Sequence, residues 1–180
     1  RTLRRAGHLQ TRDVRGRSYP NFHESRAFAV VDHEVAHVYV PDEKDIDITA
    51  AALEDDESRY QVLRRDDMKE RAIDHQRAGE LLLEAKPGFW FAYPWWTEAR
   101  EAPDYAGHVD IHNKPGFDPC ELFFGWPPPL ISQRPERIRG THGSNAAGRE
   151  VAWWSTLDFE REPKNIIDIA KSLGTILESQ

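Results

Sequence analysis

The sequence predicts a layered fold of strands and helices, of the α/β or the α+β class. Two apolar runs rich in β-branched and aromatic residues, at 25–31 and 35–40, are typical of two strands and are compatible with a hairpin. Helix-like and strand-like segments follow in turn, and an amphipathic helix closes the chain. The length of 180 residues fits one domain. These periodicities leave the choice between the two classes open.

Local patterns predict the other elements of the first half. Residues 3–12 are basic and mildly amphipathic, which predicts a short helix, and a loop is expected around Gly16. A further helix is expected from about 47 to 59, capped by Asp47 or Thr49. The next segments, in chain order, are a strand at 60–63, a charged helix or loop at 64–78, and strands at 80–85 and 89–93 around the turn Pro87-Gly88.

The second half of the chain is irregular until its end. Proline and glycine recur from about 94 to 148 between scattered aromatic residues, which predicts a long, structured segment without regular elements. Loops of this length are uncommon in compact domains unless they build a site. A strand is predicted at 150–155. The clearest helix is predicted at 163–177, where apolar residues recur at three- and four-residue spacing on one face.

The charge balance excludes some classes of partner. The chain has 24 Lys and Arg against 31 Asp and Glu, a formal net charge of −7. A nucleic-acid backbone and an anionic membrane are excluded as main partners, since both reward a basic face, and no apolar run reaches the length of a membrane span. An acidic protein can still hold phosphates through divalent cations. The single cysteine, Cys120, excludes an internal disulfide framework. It also fits the cytoplasm without proving it, so the location stays open.

The first candidate for metal chemistry is the segment from Asp32 to His37. Asp32-His33-Glu34 is typical of a turn, and the Val and Tyr residues after it favour a core strand that carries a hydrogen-bonded His37. Along a strand, His33 and His37 would lie roughly 13 Å apart, too far to share one ion. On a helix they would converge, but the surrounding residues favour the strand.

Two further segments carry ligand-type side chains. His108, Asp110 and His112 alternate, so they would share a face if extended, and mixtures of imidazole and carboxylate suit several metals. A polar loop braced by hydrogen bonds explains the same pattern equally well. His142 stands in a Gly-Xaa-His-Gly context, which suits close approach to a ligand or ion better than core packing. A surface turn is the competing interpretation.

The aromatic cluster at 89–96 has two interpretations as well. Stacked aromatic rings can grip a base or a sugar, whereas most such residues pack in cores. Core packing is favoured for Trp90. Trp95 and Trp96 follow a proline that ends the predicted strand, and they are candidate substrate contacts.

These residues together resemble a known family. The segments that carry the resemblance are 25–40, 90–96, 109–123 and 140–143. They resemble the C-terminal portion of nucleotide pyrophosphatase/phosphodiesterase-like members of the alkaline phosphatase superfamily. The resemblance covers most of residues 1–157, and the helix at 163–177 resembles the terminal helix of that fold. It implies a three-layer αβα domain of which residues 1–180 form the C-terminal, incomplete part.

The resemblance also implies a chemistry. A Thr or Ser nucleophile would attack a phosphorylated small molecule, a nucleotide or a phosphodiester, between two divalent metal ions that are usually zinc. His142 would be a ligand of the first ion. Asp110, His112 and Lys114 would lie near the site, where they would support the ligands or border the substrate.

The nucleophile and the other metal ligands of the family lie upstream of the segments that this chain resembles. Asp32-His33 is not taken as the family's Asp-His-Gly ligand block, because Glu34 follows it. One histidine alone cannot hold a zinc ion. We therefore expect the isolated chain to be a marginal folder and inactive. Three explanations stay open: the N-terminal part of the same protein supplies the rest, another chain supplies it, or the protein is a non-catalytic remnant.

Two alternative functions stay open. One is a non-catalytic nucleotide- or sugar-binding module that uses Trp95, Trp96 and Trp126. The other is a different metallohydrolase, whose local site would be formed by His108, Asp110, His112 and His142.

Overall fold

A computed structural model describes residues 1–56, 58–107, 141–144, 148 and 150–178. The chain divides into two units, Arg1–Ala146 and Ala147–Gln180. The first unit combines two small antiparallel sheets with short helices, and the described helix of the second unit is α4. The predicted mixture of strands and helices is confirmed.

The described helices and strands follow one another in short segments. In chain order they are α1 (Thr2–Arg5), β1 (Thr11–Val14), β2 (Arg17–Pro20), β3 (Phe28–Asp32), β4 (Val35–Tyr39), α2 (Ile46–Glu54), β5 (Tyr60–Leu63), α3 (Arg65–Glu70), β6 (Leu81–Ala85) and α4 (Ile166–Glu178). Three single 3₁₀ turns accompany them, at Glu43–Asp45, Ala99–Glu101 and Asp104–Gly107.

The larger sheet has four strands in the order β3-β4-β6-β5, each antiparallel to its neighbour. β3 and β4 form the hairpin that the two apolar runs predict, with Val30 opposite His37. The strands predicted at 60–63 and 80–85 are also confirmed, as β5 and β6. β6 lies in the interior of the sheet, and all five of its residues are buried.

Helices cover both faces of this sheet. Alternate residues of β4 and β6 point to the face covered by α1 and α2, where they join one core cluster. That cluster comprises Leu3, Ala27, Ala36, Val38, Val40, Ala50, Leu53, Tyr60, Leu81 and Leu83. On the other face, Met68 of α3 packs against Leu63 and Leu82 and is fully buried. Burial of a methionine side chain of this kind contributes about 1.5–3 kcal/mol.

Several sequence-based expectations differ from the structure. Residues 11–20 form the β1–β2 hairpin instead of a helix end and a loop. Its strands are short and mostly polar, so they lack the apolar alternation that identifies a strand. The loop expected around Gly16 is the hairpin turn, in which Arg15 and Gly16 both have a positive φ. α2 begins after Asp45. The Thr49 hydroxyl forms a hydrogen bond with Nδ1 of His8 instead of capping the helix.

Two predicted strands are absent from the described residues. Residues 89–93 belong to no described ladder, and the backbone N–H of Phe91 donates to the carbonyl of His33 at 2.6 Å. Residues 150–155 are irregular, and Val151 and Trp154 are 86% and 85% exposed. Aromatic and β-branched residues favour strands only where a neighbouring strand offers a packing surface.

Within the segment predicted to be irregular, the structure describes residues 94–107, 141–144 and 148. Residues 94–107 contain the last two 3₁₀ turns, and most of the segment predicted to be irregular beyond them lies outside the described residues. The charged segment at 64–78 contains α3, and the final helix is confirmed as α4. No helix in the described ranges is long and apolar enough to span a membrane.

Candidate metal centre

The tip of the β3–β4 hairpin places two ligand-type side chains next to each other. Asp32 is the last residue of β3 and pairs with Val35, so His33 and Glu34 form a two-residue turn. His33 has a φ of 53°, in the left-handed region that two-residue hairpin turns require. This region is uncommon for residues other than glycine, although histidine is enriched there. The turn predicted at Asp32-His33-Glu34 is therefore confirmed.

A third ligand-type side chain, His142, joins this pair from a distant part of the sequence. One ligand atom each of Asp32, His33 and His142 lies within 4.8 Å of the other two. The rings of His33 and His142 have centroids 4.3 Å apart. His33 is buried, whereas Asp32 and His142 are exposed. Two imidazoles and one carboxylate form a donor set that zinc accepts, so the residues present fit the type of metal that the resemblance implies.

Glu34 holds the segment that carries His142 against the hairpin. The Thr141 hydroxyl donates to Glu34 Oε1, and the backbone N–H of Ser144 donates to Glu34 Oε2 at 3.2 Å. In the opposite direction, the backbone N–H of Glu34 donates to the carbonyl of His142 at 2.9 Å. The Glu34 side chain is among the most deeply buried in the chain, with its residue 1% exposed. Segment 141–144 is thus bound on both sides of its histidine.

A second carboxylate, Glu84 of β6, also binds segment 141–144 and so extends this hydrogen-bond network. Glu84 Oε1 accepts from the Ser144 hydroxyl at 3.1 Å, and Glu84 Oε2 accepts from Arg71 Nη1 and Gln61 Nε2, both at 2.6 Å. Burial by itself would raise the pKa of the Glu84 carboxyl, but the hydrogen bonds from Arg71, Gln61 and Ser144 outweigh it and lower that pKa below its ordinary value. Glu84 therefore stays charged and keeps Ser144 in place.

The position after His142 requires a small residue, and Gly143 occupies it. Its φ is 120°, a conformation that side chains rarely adopt, and an added Cβ would lie 3.4 Å from the backbone N and the methyl groups of Val35. The close approach expected from the Gly-Xaa-His-Gly context is thus present, but the neighbour is strand β4.

Among the other residues singled out by the sequence, His37 and the tryptophans lie in the described part. His37 Nδ1 accepts from the backbone N–H of Gly79 at 3.2 Å, as expected for a core strand, and burial lowers the pKa of its imidazole. Trp96 is 8% exposed and contacts Trp95 edge to face, with centroids 5.0 Å apart. Trp90 lies beside His33 instead, with ring centroids 6.1 Å apart.

Trp95 and Trp96 contact the amino-terminal elements. Trp95 Nε1 donates to the carbonyl of Ser18 in β2 at 3.2 Å, and the carbonyl of Trp96 accepts from Arg1 Nε at 2.8 Å. Trp95 also lines a mainly apolar cavity of about 190 Å³. His108, Asp110, His112, Lys114, Cys120 and Trp126 lie outside the described residues.

Sequence reasoning did not join Asp32 and His33 to His142. The local signal, an Asp-His pair at a hairpin turn, is visible in the sequence, but the partner lies more than a hundred positions away, since the Thr141–Glu34 contact spans 107 residues. Such a pairing is information about tertiary structure.

A comparison with protein families decides the relationship. The family model described as type I phosphodiesterase / nucleotide pyrophosphatase matches residues 2–118. The chain belongs to the type I phosphodiesterase/nucleotide pyrophosphatase family. The resemblance stated from the sequence is thereby confirmed, and membership implies an alkaline-phosphatase-like fold.

The match divides the candidate site of this phosphodiesterase family member. Asp32, His33 and Glu34 lie inside the matched segment, and His142 lies beyond its end. No curated protein and no solved structure matches the chain. Members of this family are typically metal-dependent and act on phosphorylated substrates.

Proposed function

We propose that this chain is part of a metal-dependent hydrolase of phosphoric esters, of the phosphodiesterase or nucleotide pyrophosphatase type. The observation that carries the proposal is the group of ligand-type side chains around His142, in a chain of this family. The substrate class is a phosphorylated small molecule, a nucleotide or a phosphodiester. The net charge of −7 is compatible with a metal-assisted reaction, because bound divalent cations supply the local positive charge that attracts a phosphate.

The proposed nucleophile is a Thr or Ser outside these 180 residues. Two divalent ions, with zinc as the proposed metal, supply Lewis-acid stabilisation of the phosphoryl oxygens when bound. The role of this chain is to provide metal-ligating side chains. His142 offers an exposed imidazole, and Glu34 fixes the backbone on either side of it.

Other residues of the chain have proposed places around the substrate. Asp110, His112 and Lys114 are proposed to border the site. Trp95 and Trp96 are proposed as contacts to a base, but the burial of Trp96 supports packing as much as binding. This burial does not favour a purely aromatic binding module.

The test is hydrolysis of bis-nitrophenyl phosphate and of a nitrophenyl ester of a nucleoside monophosphate. Protein made from the complete reading frame around these residues is compared with residues 1–180 alone, with Zn²⁺ and after chelation. We expect zinc-dependent turnover only in the complete protein. His142→Ala should lower kcat/KM by more than about 100-fold, since residues that merely support a metal ligand already contribute about 10–100-fold.

His23→Ala is the matched control, because His23 is exposed and lies outside the ligand group. Turnover that survives His142→Ala, or a complete protein without turnover, would contradict the proposed function. Turnover by residues 1–180 alone would contradict the proposed location of the nucleophile.

A further inference from the structure

We infer that Asp32, His33 and His142 together bind one divalent transition-metal ion of the zinc class. This deepens the proposed function and rests on it in one respect, the assignment of His142 as a metal ligand. Neither the family resemblance nor the family match assigns Asp32 or His33 to a metal. The inference therefore adds two ligands and gives this chain a metal site formed by its own residues.

The spacing of the three side chains is close to that of a bound ion. Ligand atoms that surround zinc at about 2.0–2.1 Å lie roughly 3.3 Å from one another in tetrahedral geometry. Here the three atoms lie within 4.8 Å of each other, so a contraction of at most about 1.5 Å is sufficient. Asp32 and His142 are exposed and can make this movement by side-chain rotation, whereas the buried His33 provides the fixed point.

The backbone beneath the ligands is already fixed in the required arrangement. Residue 34, which follows His33, is bonded directly to the carbonyl of His142, and the Glu34 carboxylate binds Thr141 and Ser144 on either side of that histidine. Two ligands from segments 107 residues apart are thus held by three hydrogen bonds, all of them made by Glu34. Metal sites depend on such supporting hydrogen bonds as much as on the ligands themselves.

The chemistry of the donors selects the class of metal. Imidazole nitrogen favours zinc, cobalt and nickel over magnesium and calcium, which prefer sets of oxygen ligands. Three protein ligands leave a fourth position for water or substrate, as in catalytic rather than structural zinc sites. The left-handed backbone of His33 also fits, since uncommon conformations of this kind cluster at functional sites.

The direct test is metal titration of metal-free residues 1–180, once circular dichroism has shown that this chain is folded. Zn²⁺ binding is measured by calorimetry and Co²⁺ binding by visible spectroscopy. We expect one ion per chain and the absorption of four-coordinate Co²⁺. Asp32→Asn and His142→Ala should each weaken binding by at least about 10-fold. Both residues are exposed, so these variants should keep the fold of the parent chain. His23→Ala is the matched control and should bind as the parent does.

Asp32→Cys keeps the inference testable in the complete protein as well, where other metal ligands are present. A thiolate at position 32 that coordinates Co²⁺ adds a sulfur-to-cobalt charge-transfer band in the near ultraviolet. Asp66→Cys is the control, because the side chain of Asp66 is 92% exposed on α3 and outside the ligand group. The band should appear for Asp32→Cys and be absent for Asp66→Cys.

The two proposals can fail separately. The inference would be overturned if the sulfur-to-cobalt band of Asp32→Cys were absent from both residues 1–180 and the complete protein, or if the titration showed no bound ion. Zinc-dependent hydrolysis could still be observed in the complete protein in that case. Conversely, one bound ion in a complete protein that hydrolyses no phosphoric ester would uphold the metal site and contradict the proposed function.

Discussion

At the residue scale, Glu34 combines deep burial with a carboxyl group whose two oxygens both accept hydrogen bonds. Its carboxylate is satisfied by the Thr141 hydroxyl and the Ser144 N–H, and its own N–H binds the carbonyl of His142. Buried polar atoms are tolerated only when hydrogen bonds of this kind compensate their loss of hydration. In the proposed metal site, Glu34 is therefore a positioning residue that acts through His142.

Glu34→Gln should weaken Zn²⁺ binding by about 10–100-fold, the range for residues that support a ligand. The amide can still accept from Thr141 through one oxygen, but its NH₂ group would face the N–H of Ser144, and two donors cannot bond. Calorimetry measures the affinity, and near-ultraviolet circular dichroism checks the fold. Glu70→Gln, an exposed position at the end of α3, is the control. Unchanged affinity in Glu34→Gln would show that the carboxylate only packs.

How much of the candidate site can be predicted from the sequence also depends on single residues. The Gly-Xaa-His-Gly context predicts close backbone approach, and a φ of 120° at Gly143 agrees with it, since this conformation favours glycine. The role of His142 as a metal ligand stays a prediction. Asp32 and His33 were correctly predicted as a turn, but a turn says nothing about which distant segment lies upon it. Glu34 and Glu84 gave no local signal at all, since their buried partners are defined only by the folded chain.

At the element scale, the apolar runs of β3, β4 and β6 make the central sheet predictable, and the same rule fails where apolar composition and strand pairing do not coincide. β1 and β2 pair without being apolar, while residues 89–93 are aromatic without belonging to a described ladder. Cross-strand packing, not the preference of a single segment, decides both cases.

Gly79, which precedes β6 in the chain, lies very close to the backbone of β4. A Cβ at this position would lie 2.5 Å from the carbonyl oxygen and 2.7 Å from the nitrogen of Val38 in β4. Gly79→Ala should therefore lower the free energy of unfolding by about 1–3 kcal/mol or more, because the backbone of β4 cannot move away as a side chain could. Urea unfolding followed by fluorescence is the measurement.

Gly174→Ala is the comparison for this substitution. Gly174 lies in α4 with no neighbouring atom within 4 Å of the added Cβ, so alanine should be neutral or stabilise the helix by up to about 1 kcal/mol. Equal effects of the two alanine substitutions would contradict the close approach at Gly79.

At the scale of the whole molecule, the buried His8 couples folding to pH. Its imidazole is 3% exposed, and its Nδ1 lies 2.9 Å from the Thr49 hydroxyl of α2. Burial, assisted by the charge of Arg26, lowers the pKa of His8 below its ordinary value, although Asp45 opposes this. The folded chain therefore takes up a proton on His8 at lower pH than the unfolded chain does.

Because the unfolded chain binds this proton first, the free energy of unfolding should fall as the pH drops below about 6.5, the unfolded value, and level off below the folded pKa. His37 contributes in the same direction, since burial also lowers its pKa. Urea unfolding at a series of pH values should show a smaller pH dependence for His8→Gln than for the parent chain. His23→Gln, at an exposed position, should leave the dependence unchanged. An equal slope in His8→Gln and the parent would contradict the assignment.

The short turn between β3 and β4 sets a limit on how the molecule can vary in length. Only two residues separate the paired positions 32 and 35. A third residue would rotate either the imidazole of His33 or the carboxylate of Glu34 away from segment 141–144, since a one-residue slip exchanges the two sides of a strand. An epitope tag or fluorescent reporter inserted at this tip would therefore be tolerated least, and a labelled version of the protein should carry its label elsewhere.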